Sequence, residues 1–499
     1  MSGTATQDAV TTNSGRVSGL ARNGHLAFFG IPYARAKRFG APEAAAPLSG
    51  VKEATAIGLA APQPPHPVAG FAASGPQGED CLNLNIFTPA CDGGKRPVMV
   101  WVHGGGFTHG AGYEPLYNGG PLAMRGDVVV VTINYRLGAL GFLRLPEIDA
   151  PGNQGLLDQI AALQWVRDNI ASFGGDPARV TIFGQSAGSA SVACLLAMPP
   201  ARGLFRRAIL QSGAGRAATP ETSDRIAQAM LELLGISRGK EADLLTLAPD
   251  AILKAQGLIG SKLGAEARFN PVIDPAVLPA TPIDAIAGGA ARDTEIVIGT
   301  NRDEIKQFVA MMRREPIDDV ELLAQVRATL PKAGASEAQE AIGVYRASRK
   351  AHQLPHDNLD ILDAVVTDSR FRIPSIRLAQ GQCAAGGKAW MYLFTHPSPA
   401  RRGALGACHS VEMPFVFGTL DAPTQDRFAG TGPDVERLSR QMMDAWLGFS
   451  RDGAPDHESI APWSPYDARS RPTMIFGTKA STQRPDPFAE ERRIIEPLI

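Results

Sequence analysis

Val180-Thr181-Ile182-Phe183-Gly184-Gln185-Ser186-Ala187-Gly188 joins an apolar run, patterned as a buried strand, to a serine held between two glycines. Residues 189–197 are helix formers, so the serine falls where a strand turns sharply into a helix. A G-x-S-x-G turn of that kind pushes the hydroxyl clear of the backbone, where it can act as a nucleophile. Gly184 and Gly188 allow the close approach of strand and helix that the turn requires. The strained backbone at the serine costs on the order of 1–3 kcal/mol. Two glycines around a serine also occur in ordinary tight turns, so the context carries the reading: a strand before, a helix after, and a glycine run upstream.

Working outward, residues 98–102 and 128–133 are continuous apolar runs, as strands covered on both faces should be. Between the second run and Val180 lies an amphipathic helix with Leu156, Ile160, Leu163 and Ile170 on one side and Asp158, Arg167 and Asp168 on the other. Phe173-Gly174-Gly175-Asp176-Pro177 ends it with glycine and then proline. Strand, helix, strand is a crossover unit and implies a mostly parallel sheet. Later strands are expected at 209–210, 295–298 and 390–394. Segments 220–265 and 316–362 read as helical insertions able to roof a site on the sheet. Composition breaks nowhere, so residues 1–499 are taken as a single domain.

A chain of 499 residues with 44% hydrophobic content can bury a large α/β core. Its 49 basic and 50 acidic residues leave a net charge of -1. That balance offers no long-range field for nucleic acid or an anionic membrane, and the expected substrate is small and largely uncharged. Residues 1–15 lack a basic start and an apolar stretch, so no signal peptide is read there, and no apolar run is long enough to span a bilayer. Five scattered cysteines show neither metal-ligand spacing nor a disulfide framework. A reducing cytoplasm is the simplest home; a periplasmic location with free thiols is the alternative.

The serine needs a base and an anion-stabilising pocket. Gly104-Gly105-Gly106, after a strand and before Phe107, can point unencumbered N–H groups at a developing oxyanion, and Ala187 can add another. A phosphate loop would need Lys-Ser or Lys-Thr after the glycines, which is missing. Among nine histidines, His103 and His109 flank the glycine run and shape it, while His25, His66, His352, His356 and His457 carry no signal. His396 and His409 both lie late in the chain, and position alone leaves them even. The orienting acid belongs after the strand at 295–298, where Asp303 and Glu304 are adjacent; only one can meet the imidazole. His409 and Glu412 also have metal-pair spacing, but no third ligand is in view. Phe107, Phe308, Met311 and Met312 are candidate apolar walls, with core packing the competing role for each, and Gln185 is a candidate substrate contact.

Assembled, these residues resemble the type-B carboxylesterases, the family of bacterial para-nitrobenzyl esterases, liver carboxylesterases and cholinesterases. The likeness runs over residues 15–477. It rests on Glu79-Asp80-Cys81-Leu82-Asn83-Leu84-Asn85, on the serine signature from Phe173 to Gly188, and on Gly152-Asn153-Gln154-Gly155-Leu156-Leu157-Asp158-Gln159 with Gln164-Trp165-Val166. Phe269-Asn270-Pro271-Val272-Ile273-Asp274 and Thr473-Met474-Ile475-Phe476-Gly477 add to it. The resemblance implies an α/β-hydrolase fold, a large central mostly parallel mixed sheet flanked by helices, with helical insertions over the active site. It implies Ser186, Glu304 and His409 as a triad, Gly105, Gly106 and Ala187 as the oxyanion hole, and Arg38 with Glu79 as a structural ion pair. The implied activity is hydrolysis of carboxylic esters through an acyl-enzyme, with carbamate or aryl-amide hydrolysis as the alternative and a non-enzymatic adhesion protein as the distant one. No metal or organic cofactor is implied, and a monomer or homodimer is expected. Three departures stand out. No cysteine precedes Cys81, Gln185 replaces the glutamate of cholinesterases, and Ile305 stands where a glycine commonly follows the acid.

Overall fold

Strand residues alternate between two hydrophobic layers, and that alternation organises the molecule. Val98, Val100 and Val102 join one layer, while Met99 and Trp101 join the other. Helices Gln154–Asn169 and Ala187–Ala197 cover the first face, and Pro433–Asp452 covers the second with Leu438, Met442 and Trp446. Both faces being covered, the strands Val129–Ile133, Arg207–Gln211 and Ala389–Phe394 are buried at every residue. This computed structural model describes residues 4–5, 9–66, 71–264, 267–310, 312 and 314–499.

The main sheet has 12 strands among the described residues. Its centre is a run of parallel strands in the order Val129–Ile133, Arg96–Val102, Gly175–Gln185, Arg207–Gln211, Glu295–Asn301, Ala389–Phe394 and Pro472–Phe476. Antiparallel strands continue it on both sides: Asn83–Thr88, His25–Pro32, Leu20–Arg22 and Thr4–Ala5 at one end, Thr482–Pro485 at the other. The expected large, mostly parallel mixed sheet flanked by helices is what the chain forms.

The expected helical insertions contain Pro220–Leu233 and Pro249–Leu263 in the first and Asp319–Thr329, Ala335–Ala351 and Asn358–Thr367 in the second. Arg38 and Glu79 form the ion pair that the resemblance implies, with Arg38 Nε donating to Glu79 Oε2 at 2.8 Å.

One reading needs correction. Asp158 is not on the solvent side of its helix; it is fully buried. Arg136 explains why: its Nη2 and Nε donate to Asp158 Oδ1 and Oδ2 at 2.6 and 2.8 Å, and its backbone N–H adds a third bond at 3.1 Å. A carboxylate so completely partnered can stay inside.

Catalytic side chains on such a sheet belong at the C-terminal ends of the parallel strands. Ser186, the Gly104–Gly106 run and the Asp303-Glu304 pair each follow such an end directly, and His409 lies in the long connection after Ala389–Phe394.

Candidate active site

Ser186 has φ 57° and ψ −121°, between the strand that ends at Gln185 and the helix that begins at Ala187. L-residues rarely adopt that backbone, and it persists only where its surroundings hold it. Here Ser186 N donates to Gln211 O at 2.8 Å, and Ala190 N donates to Ser186 O at 2.8 Å. Gly188 lets helix and strand close up, because a Cβ there would run into the Val102 carbonyl oxygen. The serine is half-buried, and its Oγ makes no hydrogen bond among the described residues.

Glu304 and His409 meet: Nδ1 of the imidazole is 2.6 Å from Glu304 Oε2, with both side chains buried. Asn301 N donates to the other carboxylate oxygen at 2.7 Å, so the acid is held from two directions. With Nδ1 carrying the hydrogen, the Nε2 lone pair is the acceptor, as a general base requires. Asp303 faces elsewhere. It accepts from Arg302 Nε and Nη2 at 3.0 and 2.9 Å and from Ala407 N at 2.8 Å, which hold its carboxyl below the usual range despite burial. His396 does not line the cleft that holds the serine, and its Nε2 is 2.8 Å from Ala429 O.

Gly105, Gly106 and Ala187 line the cleft around Ser186, and their backbone N–H groups have no partner among the described residues. Ala187 opens an 11-residue helix, whose N-terminal dipole favours negative charge at this point. His103 shapes the loop from behind, buried and stacked on Tyr135 with ring centroids 4.6 Å apart; burial pulls its pKa down to about 4.

The cleft has a volume of about 1660 Å³. Phe107, Phe308 and Gln185 line it. Met312 does not. The chain turns through the short helix Lys306–Val309 and leaves Met312 64% exposed beyond the cleft wall. Met311 lies outside the described residues. Among the described residues of the two helical insertions only Thr222 reaches the wall; much of the remainder comes from segments 213–218, 399–401 and 422–428.

Sequence reasoning missed Phe371, Asn301 and Gln211, and saw Glu412 only as a metal-pair candidate. Phe371 and Phe308 sit against the imidazole of His409, with ring centroids 5.2 and 4.9 Å away. Phe371 is carried by a π-helical turn, Asp368–Arg372, a local widening common beside functional sites. Asn301 Nδ2 donates to Glu412 Oε2 at 2.6 Å, and Gln211 Nε2 reaches Glu412 Oε1 at 3.4 Å. Burial, with the Glu304 carboxylate nearby, pushes the Glu412 pKa up to about 7. Glu412 is thus tied into the site by amide donors, and the metal-pair spacing it makes with His409 has this other use. The one signal available in sequence was a polar asparagine closing a buried strand just before the Asp-Glu pair.

The chain is 40% identical to the para-nitrobenzyl esterase of Bacillus subtilis (strain 168) over 503 residues, covering 99% of each. It is 37% identical to the phenmedipham hydrolase of Pseudarthrobacter oxydans over 497 residues, covering 95% of this chain and 96% of that one. Its fold superposes on a solved carboxylesterase of Geobacillus stearothermophilus with a TM-score of 0.86 at 37% identity, over 98% of this chain and 99% of the other. Residues 6–493 match the model of the carboxylesterase family. With that match spanning almost its whole length, the chain belongs to the carboxylesterase family and is a carboxylic ester hydrolase.

Proposed function

We propose that this single-domain enzyme hydrolyses small carboxylic esters by two-step acyl transfer at Ser186. The observation that carries the reading is the 2.6 Å contact of Glu304 with His409, beside a strained serine and three backbone N–H groups with no partner among the described residues. His409 Nε2 takes the Ser186 proton as Oγ attacks the ester carbonyl. The N–H groups of Gly105, Gly106 and Ala187 hold the oxyanion, where each such donor is worth ~2.7–4 kcal/mol. The imidazolium gives its proton to the departing alcohol, and Glu304 offsets its charge throughout. Water, deprotonated by the same nitrogen, then attacks the acyl-enzyme and releases the acid.

Ser186→Ala should abolish turnover without unfolding the protein, and a labelled fluorophosphonate should mark Ser186 in the wild type alone. Full activity in the variant would reject the assignment. Carbamate hydrolysis is the second reading, favoured by the likeness to a phenmedipham hydrolase; a panel of aryl esters, carbamates and anilides separates the two. No described helix is long and apolar enough to cross a membrane. We place the enzyme in the cytoplasm as a monomer or homodimer that engages neither nucleic acid nor membrane. Cell fractionation and sedimentation test that placement.

A further inference from the structure

Gln185, the residue before the nucleophile, reaches the base that the nucleophile needs. Its side-chain Nε2 lies 3.0 Å from His409 Nε2 and 2.9 Å from Ser410 Oγ. Gln185 is 3% exposed, so this is a packed position and not a surface rotamer. Gly104 provides the space: a Cβ there would stand 2.9 Å from Gln185 Oε1 and 2.6 Å from the Gln185 carbonyl oxygen. Ser410 holds the other side with φ 66°, a backbone that L-residues seldom adopt.

With Nδ1–H committed to Glu304, the neutral ring has one in-plane lone pair at Nε2 and can only accept there. The Gln185 amide N–H takes it. Proton transfer from Ser186 requires the same lone pair, and Ser186 Oγ makes no hydrogen bond to it among the described residues. Once Nε2 is protonated, two N–H groups would face each other, so the amide must leave before the imidazolium forms.

We propose that Gln185 caps the base in the free enzyme and that a seated ester displaces the cap, releasing Nε2 to Ser186. The proposal rests on the acyl-transfer reading above and makes Gln185 a positioning residue acting through His409. The carboxamide lines the cleft at the serine, where an incoming ester carbonyl arrives. The cap holds the base in one orientation while the cleft is empty and leaves the serine unactivated until a substrate is bound.

The test is the rate of phosphonylation of Ser186 by a small fluorophosphonate, followed by stopped flow. Gln185→Met keeps the length of the side chain and removes the N–H donor; Gln185→Ala removes the side chain. Loss of one ground-state hydrogen bond of ~1 kcal/mol predicts a rate about fivefold above wild type in Gln185→Met. Relief of crowding alone would speed Gln185→Ala but not the nearly isosteric Gln185→Met, so a gain in Gln185→Met is diagnostic. A rate in Gln185→Met equal to or below wild type overturns the cap, whatever Gln185→Ala does. The wild type gives a second reading: in 15N-labelled protein the His409 Nε2 signal should show scalar coupling to a glutamine side-chain amide, and its absence overturns the cap as well. If the wild type is not labelled at Ser186, the acyl-transfer reading fails instead.

Discussion

Asn301 and Glu412 lock the two loops of the proposed catalytic centre together: Asn301 Nδ2 donates to Glu412 Oε2 at 2.6 Å. The same nitrogen donates to Cys408 O at 2.7 Å, next to the base, while the Asn301 backbone N–H holds Glu304. One asparagine therefore sets the spacing between acid and base. Asn301→Ala keeps the backbone bond to Glu304 but leaves the Cys408 carbonyl and a Glu412 oxygen buried without this donor. It should cost about 1–3 kcal/mol in urea unfolding. In steady-state kinetics it should lower kcat more than it changes KM.

Glu412 gives a pH signature. Its folded pKa, raised to about 7 by burial and by Glu304, lies above that of the unfolded chain. Between the two values the folded state holds a proton that the unfolded state has lost, so this group's contribution to stability is present at low pH and falls as pH rises through about 7. Glu412→Gln cannot ionise and lacks that loss. The difference in melting temperature, variant minus wild type, should become more positive on going from pH 5 to pH 8. A difference independent of pH would show that Glu412 is not the titrating group.

Glu304→Gln tests the acid directly. An amide in this place can present its NH2 to Nδ1 and favour the wrong tautomer, with Nε2 carrying the hydrogen. Carboxylate-to-amide exchange in a Ser-His-Asp triad lowers kcat about 10⁴-fold with the geometry intact, and a similar loss is expected here. Circular dichroism and the melting profile should be close to wild type. Asp303→Asn, one residue earlier, should leave kcat within about tenfold, because Asp303 serves the loop through Arg302 and Ala407.

The ion pair of Arg136 with Asp158 carries a prediction about stability alone. Asp158→Ala would leave a buried guanidinium without its carboxylate, a loss of about 3–5 kcal/mol. Asp158→Ala together with Arg136→Met should recover much of it, because the buried charge goes too. Chemical unfolding of both variants measures the recovery.

What the sequence revealed, and what it did not, follows the range of the interactions involved. The serine turn was legible because strand, glycines and helix are contiguous, and the parallel sheet because each apolar run is a local pattern. The choice between His396 and His409 was not, since it depends on which imidazole reaches a carboxylate about a hundred residues away. Asp158 was misplaced for the same reason: its partner lies on a neighbouring element, and a helical wheel records only the helix. Met312 was misjudged because a single turn of helix after Glu304 decides where the next residues point. A whole-chain charge of -1 likewise says nothing of where charges lie. The cleft wall carries Arg216, Arg268, Arg370, Arg401 and Arg427 alongside Glu114 and Asp426.

Gly105 offers a test of the oxyanion pocket that leaves the triad intact. Its φ of 112° is closed to residues with a side chain, and a Cβ would strike the His109 carbonyl, which lies across the turn. That turn is drawn in by Thr108 N and His109 N, which donate to Gly105 O at 3.1 and 3.0 Å. Gly105→Ala must therefore rotate the peptide or open the turn, and either change moves the N–H groups of Gly105 and Gly106 off the oxyanion. Loss of one such donor predicts a fall in kcat of about 10²–10³-fold. KM should change little, because the donors matter most once the carbonyl oxygen carries negative charge. A boronic or trifluoromethyl ketone inhibitor, which places a tetrahedral oxyanion in the site, should lose affinity in parallel with kcat. Equal weakening of a planar ester analogue would mean that the substitution had collapsed the cleft generally.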